Sequence, residues 1–171
     1  MDIHLLRWIM IQSKSDLIFQ SEDKAFSLQI SYDKMELMRN ICKKSFPNET
    51  GGILIGHYSE DCKVAIVTQI LGPPRGSSHF KSSFVRCGKS LLPILDKLWK
   101  KNQYYLGEWH FHPSASPNPS STDLSTMKNL SKTKELHCPE PIMIIIGGNA
   151  DAWSEYAMLI YQDKPIKLNR V

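Results

Sequence analysis

The chain has 171 residues, 42% of them apolar, with a mild net charge of +4 from 21 Lys+Arg against 17 Asp+Glu. A chain this long is expected to bury roughly 70% of its unfolded surface in one domain, residues 1–171, which excludes wholesale disorder, and the absence of any run of 18 apolar residues excludes a transmembrane helix. The charge excess is too thin for the dense basic stripe of a nucleic-acid binder, so neither nucleic acid nor membrane is expected as a partner.

The start of the chain is apolar but broken by Arg7 and has no small-residue cleavage site, so it does not read as a secretion signal. Cys42, Cys62, Cys87 and Cys138 are scattered without a CxxC pair. This pattern suits free thiols in a reducing cytoplasm.

In chain order, residues 5–12 and Ala25 to Ile30 read as strands. The next stretch shifts to helical spacing: Met35, Met38, Ile41 and Cys42 fall on one face, with Ser31 as the N-cap and Pro47 as the stop. Gly52 to Tyr58 and Lys63 to Leu71 read as a hairpin. Residues 72–83, rich in Gly, Ser and Pro, read as a loop. A second helix is expected over Lys89 to Asn102, with Leu91, Leu92, Ile94, Leu95, Leu98 and Trp99 toward the core and Pro93 in its first turn. Tyr104 to His112 is the next strand, followed by a stiff proline-rich loop and a helix from about Ser120 to Lys132. Pro141 to Gly147 is apolar on both faces, as a central strand would be. Ala152 to Tyr161 is a further strand, and the tail adds a strand at the edge. Mixed strands with about three helices give an α/β or α+β layered fold.

The chemistry concentrates in Glu108-Trp109-His110-Phe111-His112-Pro113, followed by Ser120 and Asp123. Residues two apart on a strand share a face, so His110 and His112 can aim two imidazoles at one point, while Trp109 and Phe111 face the core. Pro113 keeps His112 extended. Ser120 and Asp123 are three apart and share the first turn of a helix, where they also fit a capping box. Two histidines and one carboxylate form a catalytic zinc set with a position left for water. Such a site needs a base, and Glu49, in the turn Asn48-Glu49-Thr50-Gly51-Gly52, is the candidate. Each piece also has a plainer reading: packed or surface histidines, a helix cap, a solvated turn carboxylate.

The full order is a glutamate before Gly-Gly, then H-x-H-P, then seven residues from Pro113 to Pro119, then S-x-x-D. It resembles the JAMM motif of the JAB/MPN-plus metalloprotease family, over residues from about 25 to 162. The resemblance implies a cytidine-deaminase-like α-β-α sandwich with a mixed central sheet. It implies zinc held by His110, His112 and Asp123, with Glu49 as general base and Ser120 helping to hold the oxyanion. It also implies hydrolysis of the isopeptide or peptide bond after the C-terminal tail of a conjugated protein, such as a ubiquitin-like protein or a bacterial nucleotidyltransferase. The compact chain is similar to the prokaryotic branch of the family, and the loop 73–86 followed by a helix resembles members associated with anti-phage CBASS operons.

Two other readings use the same residues. One is a non-catalytic MPN-like protein-binding scaffold. The other is a non-haem iron oxygenase, whose usual pattern places the carboxylate two after the first histidine and the second histidine far downstream. The remaining polar residues are expected to be bland: His57 structural, Glu108 either beside a histidine or merely packed, and Ser82, Ser83 and Arg86 on the surface.

Overall fold

The computed structural model describes residues 16–87 and 91–171. The strand expected over residues 5–12, and Lys89 and Ser90 of the second helix, lie outside the described residues. The chain runs β1 (Leu17–Gln20), β2 (Ser27–Ile30), α1 (Tyr32–Ser45), β3 (Thr50–Tyr58), β4 (Val64–Leu71), β5 (Ser78–Phe80), β6 (Ser83–Val85), α2 (Leu92–Trp99), β7 (Tyr104–Pro113), α3 (Ser121–Ser131), a 3-10 turn (Lys134–Leu136), β8 (Ile142–Asn149), β9 (Ala152–Tyr161) and β10 (Lys164–Arg170).

Among the described residues, eight strands form one mixed sheet in the order β1-β10-β9-β8-β7-β3-β4-β2. The pairs β2/β4 and β7/β8 are parallel and the others antiparallel. Helices lie on both faces, as a sandwich requires, but the sheet is not open. The short strand β1 pairs with β2 on one side and β10 on the other, closing a barrel. The tail strand β10 is therefore no edge. Closure satisfies the row of backbone groups that an edge strand would leave unpaired.

Alternation along each strand assigns the two faces. Leu54, Trp109, Phe111, Ile144 and Ile146 join Leu28, Ile30 and Leu168 in one inner cluster, to which α1 contributes Met35, Met38 and Cys42. Ile53, Ile55 and Tyr105 point outward beneath α2. Met143, Ile145, Met158 and Ile160 point outward beneath Met127 of α3. The apolar run in β8 is thus buried on both sides, between β7 and β9. Ser31 stands at the N-cap of α1, but its hydroxyl makes no capping bond.

Two expectations fail locally. Of the apolar residues on α2, only Leu91, Leu95 and Leu98, at i, i+4 and i+7, reach the sheet; Leu92, Ile94 and Trp99 are exposed. One turn of a surface helix can present only one stripe to its neighbour, and this helix carries more apolar residues than the stripe holds. The stretch 72–83 is also more than a loop: together with Phe84 and Val85 it contains the two-stranded hairpin β5–β6.

Candidate metal centre and active site

Strand β3 enters the sheet beside β7 with Gly51 opposite His110 and Thr50 opposite Phe111. Glu49, just before β3, therefore falls on the outward face with His110 and His112. Gly51 faces the same way. A Cβ there would come within 2.6 Å of the Trp109 carbonyl oxygen and 3.1 Å of the Phe84 ring, so only glycine allows this close approach.

The loop after β7 folds back across the end of β8. Ser114 N–H donates to the Gly148 carbonyl at 2.7 Å, and Gly148 N–H returns a bond to the Ala115 carbonyl at 2.9 Å. Gly147 lies beneath this loop; a Cβ on it would meet the Ala115 oxygen at 2.6 Å. The backbone thus delivers the N-terminus of α3 to the two histidines.

There the capping box forms in full. Asp123 N–H donates to Ser120 Oγ at 3.1 Å, while Ser120 N–H and Oγ–H donate to Asp123 Oδ2 at 2.7 and 2.6 Å. The same carboxylate accepts from His110 Nδ1 at 2.9 Å through Oδ1, and its Oδ2 lies 3.4 Å from His112 Nε2. Capping and site-building are done by one side chain. The Ser120 hydroxyl is spent on Asp123, so it orients that carboxylate; the expected oxyanion role would require it to turn away.

His110 is bracketed by carboxylates. Its Nε2–H donates to Glu49 Oε2 at 3.1 Å on the side opposite Asp123. His112 Nδ1–H donates to the Ser116 carbonyl at 3.3 Å, which leaves Nε2 turned to the site. The two rings stand 4.8 Å apart at 77°. Burial alone would lower the His110 pKa, but bonds to Asp123 and Glu49 outweigh it and raise it to about 9. Burial alone would raise Asp123, but bonds from His110, His112 and Ser120 hold its carboxyl far below the usual range. Two carboxylates around one imidazole make a pocket built for a positive charge.

A divalent ion fits that pocket. One donor atom each from Glu49, His110 and His112 lie within 4.8 Å of one another, and Asp123, only 5% exposed, meets His110 Nδ1 on the side away from Glu49 and lies beside His112 Nε2. A tetrahedral divalent ion with bonds of about 2.1 Å spaces its donors about 3.4 Å apart, inside that 4.8 Å limit. Two nitrogens and a carboxylate oxygen suit a first-row divalent metal.

The other polar residues are placed as follows. Glu108 lies on the outward face of β7 but meets no histidine: it pairs with Arg86 and accepts from the Tyr105 hydroxyl at 3.2 Å. Burial pushes its carboxyl pKa up, against the pull of Arg86. Arg86 is therefore not a surface residue, because an unpaired Glu108 would be a buried charge. Trp109 and Phe111 lie in the inner cluster, as alternation requires. His79, overlooked in the sequence, has Nδ1 3.0 Å from the Glu49 carbonyl; a histidine in a Gly/Ser-rich stretch carries no periodicity that would single it out. The four cysteines are free thiols.

Comparison with known proteins agrees with this geometry. The family model for prokaryotic homologs of the JAB domain matches residues 33–158. The chain belongs to the prokaryotic JAB family. It is 40% identical over 161 residues to a protein of Enterobacter hormaechei subsp. hoffmannii named CD-NTase/cGAS isopeptidase, covering 93% of this chain and 89% of that one. It is 31% identical over 124 residues to a probable metalloprotease of Sinorhizobium fredii, covering 65% and 70% of the two chains. A solution structure from Desulfitobacterium hafniense, protein DSY2949, superposes with a TM-score of 0.58 at 20% identity, covering 84% of this chain and 88% of that one, a likeness of fold. As a JAB-family member this chain is an enzyme, a JAMM-type metallo-isopeptidase of the hydrolase class. That sets aside both the non-catalytic scaffold and the iron oxygenase.

Proposed function

We propose that this single-domain JAB-family enzyme is a zinc-dependent isopeptidase. It hydrolyses the bond that follows the C-terminal tail of a conjugated protein, of which a bacterial nucleotidyltransferase is the favoured case and a ubiquitin-like protein the other. It works in the cytoplasm and reverses conjugation in an anti-phage CBASS system. The observation that carries the reading is the convergence of Glu49, His110, His112 and Asp123, from three separate segments, on one outward-facing pocket. The 40% identity to a CD-NTase/cGAS isopeptidase supports the substrate class. No helix among the described residues is long and apolar enough to cross a membrane.

In this reading His110, His112 and Asp123 hold the metal. Of the two carboxylates, Asp123 is the one suited to bind it, being the more buried, in contact with both imidazoles, and fixed at its second oxygen by Ser120. A zinc ion held there would polarise the scissile carbonyl and lower the pKa of water toward about 7. Glu49 touches only one histidine through its carboxylate, which leaves an oxygen to take a proton from the attacking water and return it to the departing amine. Ser120 keeps Asp123 in its rotamer.

The test is metal analysis combined with cleavage of a fusion that carries the nucleotidyltransferase tail. Wild type should hold one zinc and cleave the fusion. Glu49→Gln should keep the zinc and lose cleavage, while His110→Ala should lose both. An active Glu49→Gln variant would overturn the base assignment.

A further inference from the structure

The hairpin β5–β6 touches the candidate site at four places. On one leg, Glu49 N–H donates to the Phe80 carbonyl at 2.8 Å, and His79 Nδ1–H donates to the Glu49 carbonyl at 3.0 Å. A carbonyl only accepts, so the proton sits on Nδ1 of His79. Both backbone polar groups of Glu49 are thus held by two neighbouring residues of the hairpin; among the described residues the only other hydrogen bond to them is from the Ser45 hydroxyl, at 3.5 Å from the carbonyl. On the other leg, Phe84 lies tilted against His79 at 5.1 Å and His110 at 6.1 Å, in front of Gly51. Arg86 ends this leg in its ion pair with Glu108, two residues before His110 on the same face of β7.

The hairpin therefore stands with one leg on Glu49, just before β3, and the other on β7 at Glu108. It bridges the two strands that carry the site. The carboxylate of Glu49 leaves from a turn rather than from the sheet, so its backbone has no ladder bonds of its own to fix it. Burial of Glu108 makes the Arg86 anchor specific, because no other cation among the described residues pairs with that carboxylate.

We propose that His79 and Arg86 are positioning residues for proton transfer: together they seat the hairpin against both segments and fix the backbone of Glu49 so that its carboxylate meets His110. Neither touches the reacting atoms. The inference rests on reading Glu49 as the base. A misplacement of about 1 Å at such a group can cost about 100-fold in rate.

The experiment uses the full-length enzyme and the tail fusion. His79→Ala should lower kcat by about 10- to 100-fold, with KM and zinc content unchanged. His79→Asn, whose amide nitrogen occupies the place of Nδ1, should restore most of the rate. His79→Gln, with its donor one bond further out, should not. In the metal-free protein, His79→Ala and Arg86→Ala should each speed hydrogen exchange at the Glu49 amide, and Arg86→Lys should restore part of the protection. If Arg86→Ala does not fold, the His79 series carries the test alone. Wild-type kcat in His79→Ala, unchanged exchange at Glu49, or equal behaviour of the Asn and Gln variants would overturn the proposal. Glu49→Gln run alongside separates the two failures. If it turns over normally, the base assignment falls whatever the hairpin does; if it is dead while His79→Ala is unaffected, the positioning role falls alone.

Discussion

Asp123→Ala perturbs the point where fold and site share one side chain. The substitution removes the acceptor for His110 Nδ1–H and for Ser120 N–H, and the neighbour of His112. A hydrogen bond to a charged group contributes about 1.5–3 kcal/mol and an N-cap interaction about 1 kcal/mol. Asp123 is almost fully buried, so solvent does not screen these terms. Breaking one partner of such a buried set costs about 3–5 kcal/mol. At about 2–4 °C per kcal/mol for a chain of this size, Tm of the metal-free protein should fall by about 10 °C. Asp123→Asn keeps the volume and an acceptor for Ser120 but turns a donor toward His110, so it should fall between wild type and Asp123→Ala. Thermal unfolding in chelator gives the stability order, and competition titration gives zinc affinity, which should drop by more than about 100-fold in both variants. A loss below about 1 kcal/mol in Asp123→Ala, or wild-type zinc affinity in either variant, would refute this account of the buried network.

Other outcomes follow from the same structure. In the metal-free protein, folding raises the His110 pKa above its unfolded value, to about 9. The resulting stability is fully present below about pH 6.5 and is lost as pH rises through about 9, a difference of about 3 kcal/mol that denaturant titrations at pH 6 and pH 10 would show; zinc displaces that proton, so the loaded protein should show a much flatter profile. Gly51→Ala should push β3 from β7 and displace Phe84, costing about 1–3 kcal/mol and most of the activity, since the nearest atom to the new Cβ is a backbone oxygen; wild-type Tm and kcat would contradict it. Leu54→Ala, in the centre of the inner cluster, should cost about 2–5 kcal/mol without changing zinc affinity per folded molecule; a selective loss of zinc would show that the core and the site are coupled.

The parts of this site that can be read from the sequence are those governed by local periodicity. His110 and His112 share a face because a strand alternates, and Ser120 meets Asp123 because a helix turns in under four residues. Glu49 stands out by its Gly-Gly context, but its distance to His110 comes from the β3/β7 register, which no local pattern encodes. The hairpin is illegible for a different reason. Its strands have three residues each, flanked by Gly, Ser and Pro, and they are ordered by bonds to Glu49 and Glu108 rather than by a hydrophobic face of their own. Closure of the sheet depends on the four residues of β1, too short a run to announce itself. On α2, Leu92, Ile94 and Trp99 match a core face as well as the leucines that do pack, and only docking chooses between them.

Locating the metal is the most direct test. Crystals of the zinc-loaded protein, measured at the zinc absorption edge, should show one anomalous peak within about 2.0–2.2 Å of nitrogens from His110 and His112 and an oxygen from Asp123, with Glu49 outside bonding distance. A peak on other residues, or zinc-loaded protein with no peak in this pocket, would contradict the account.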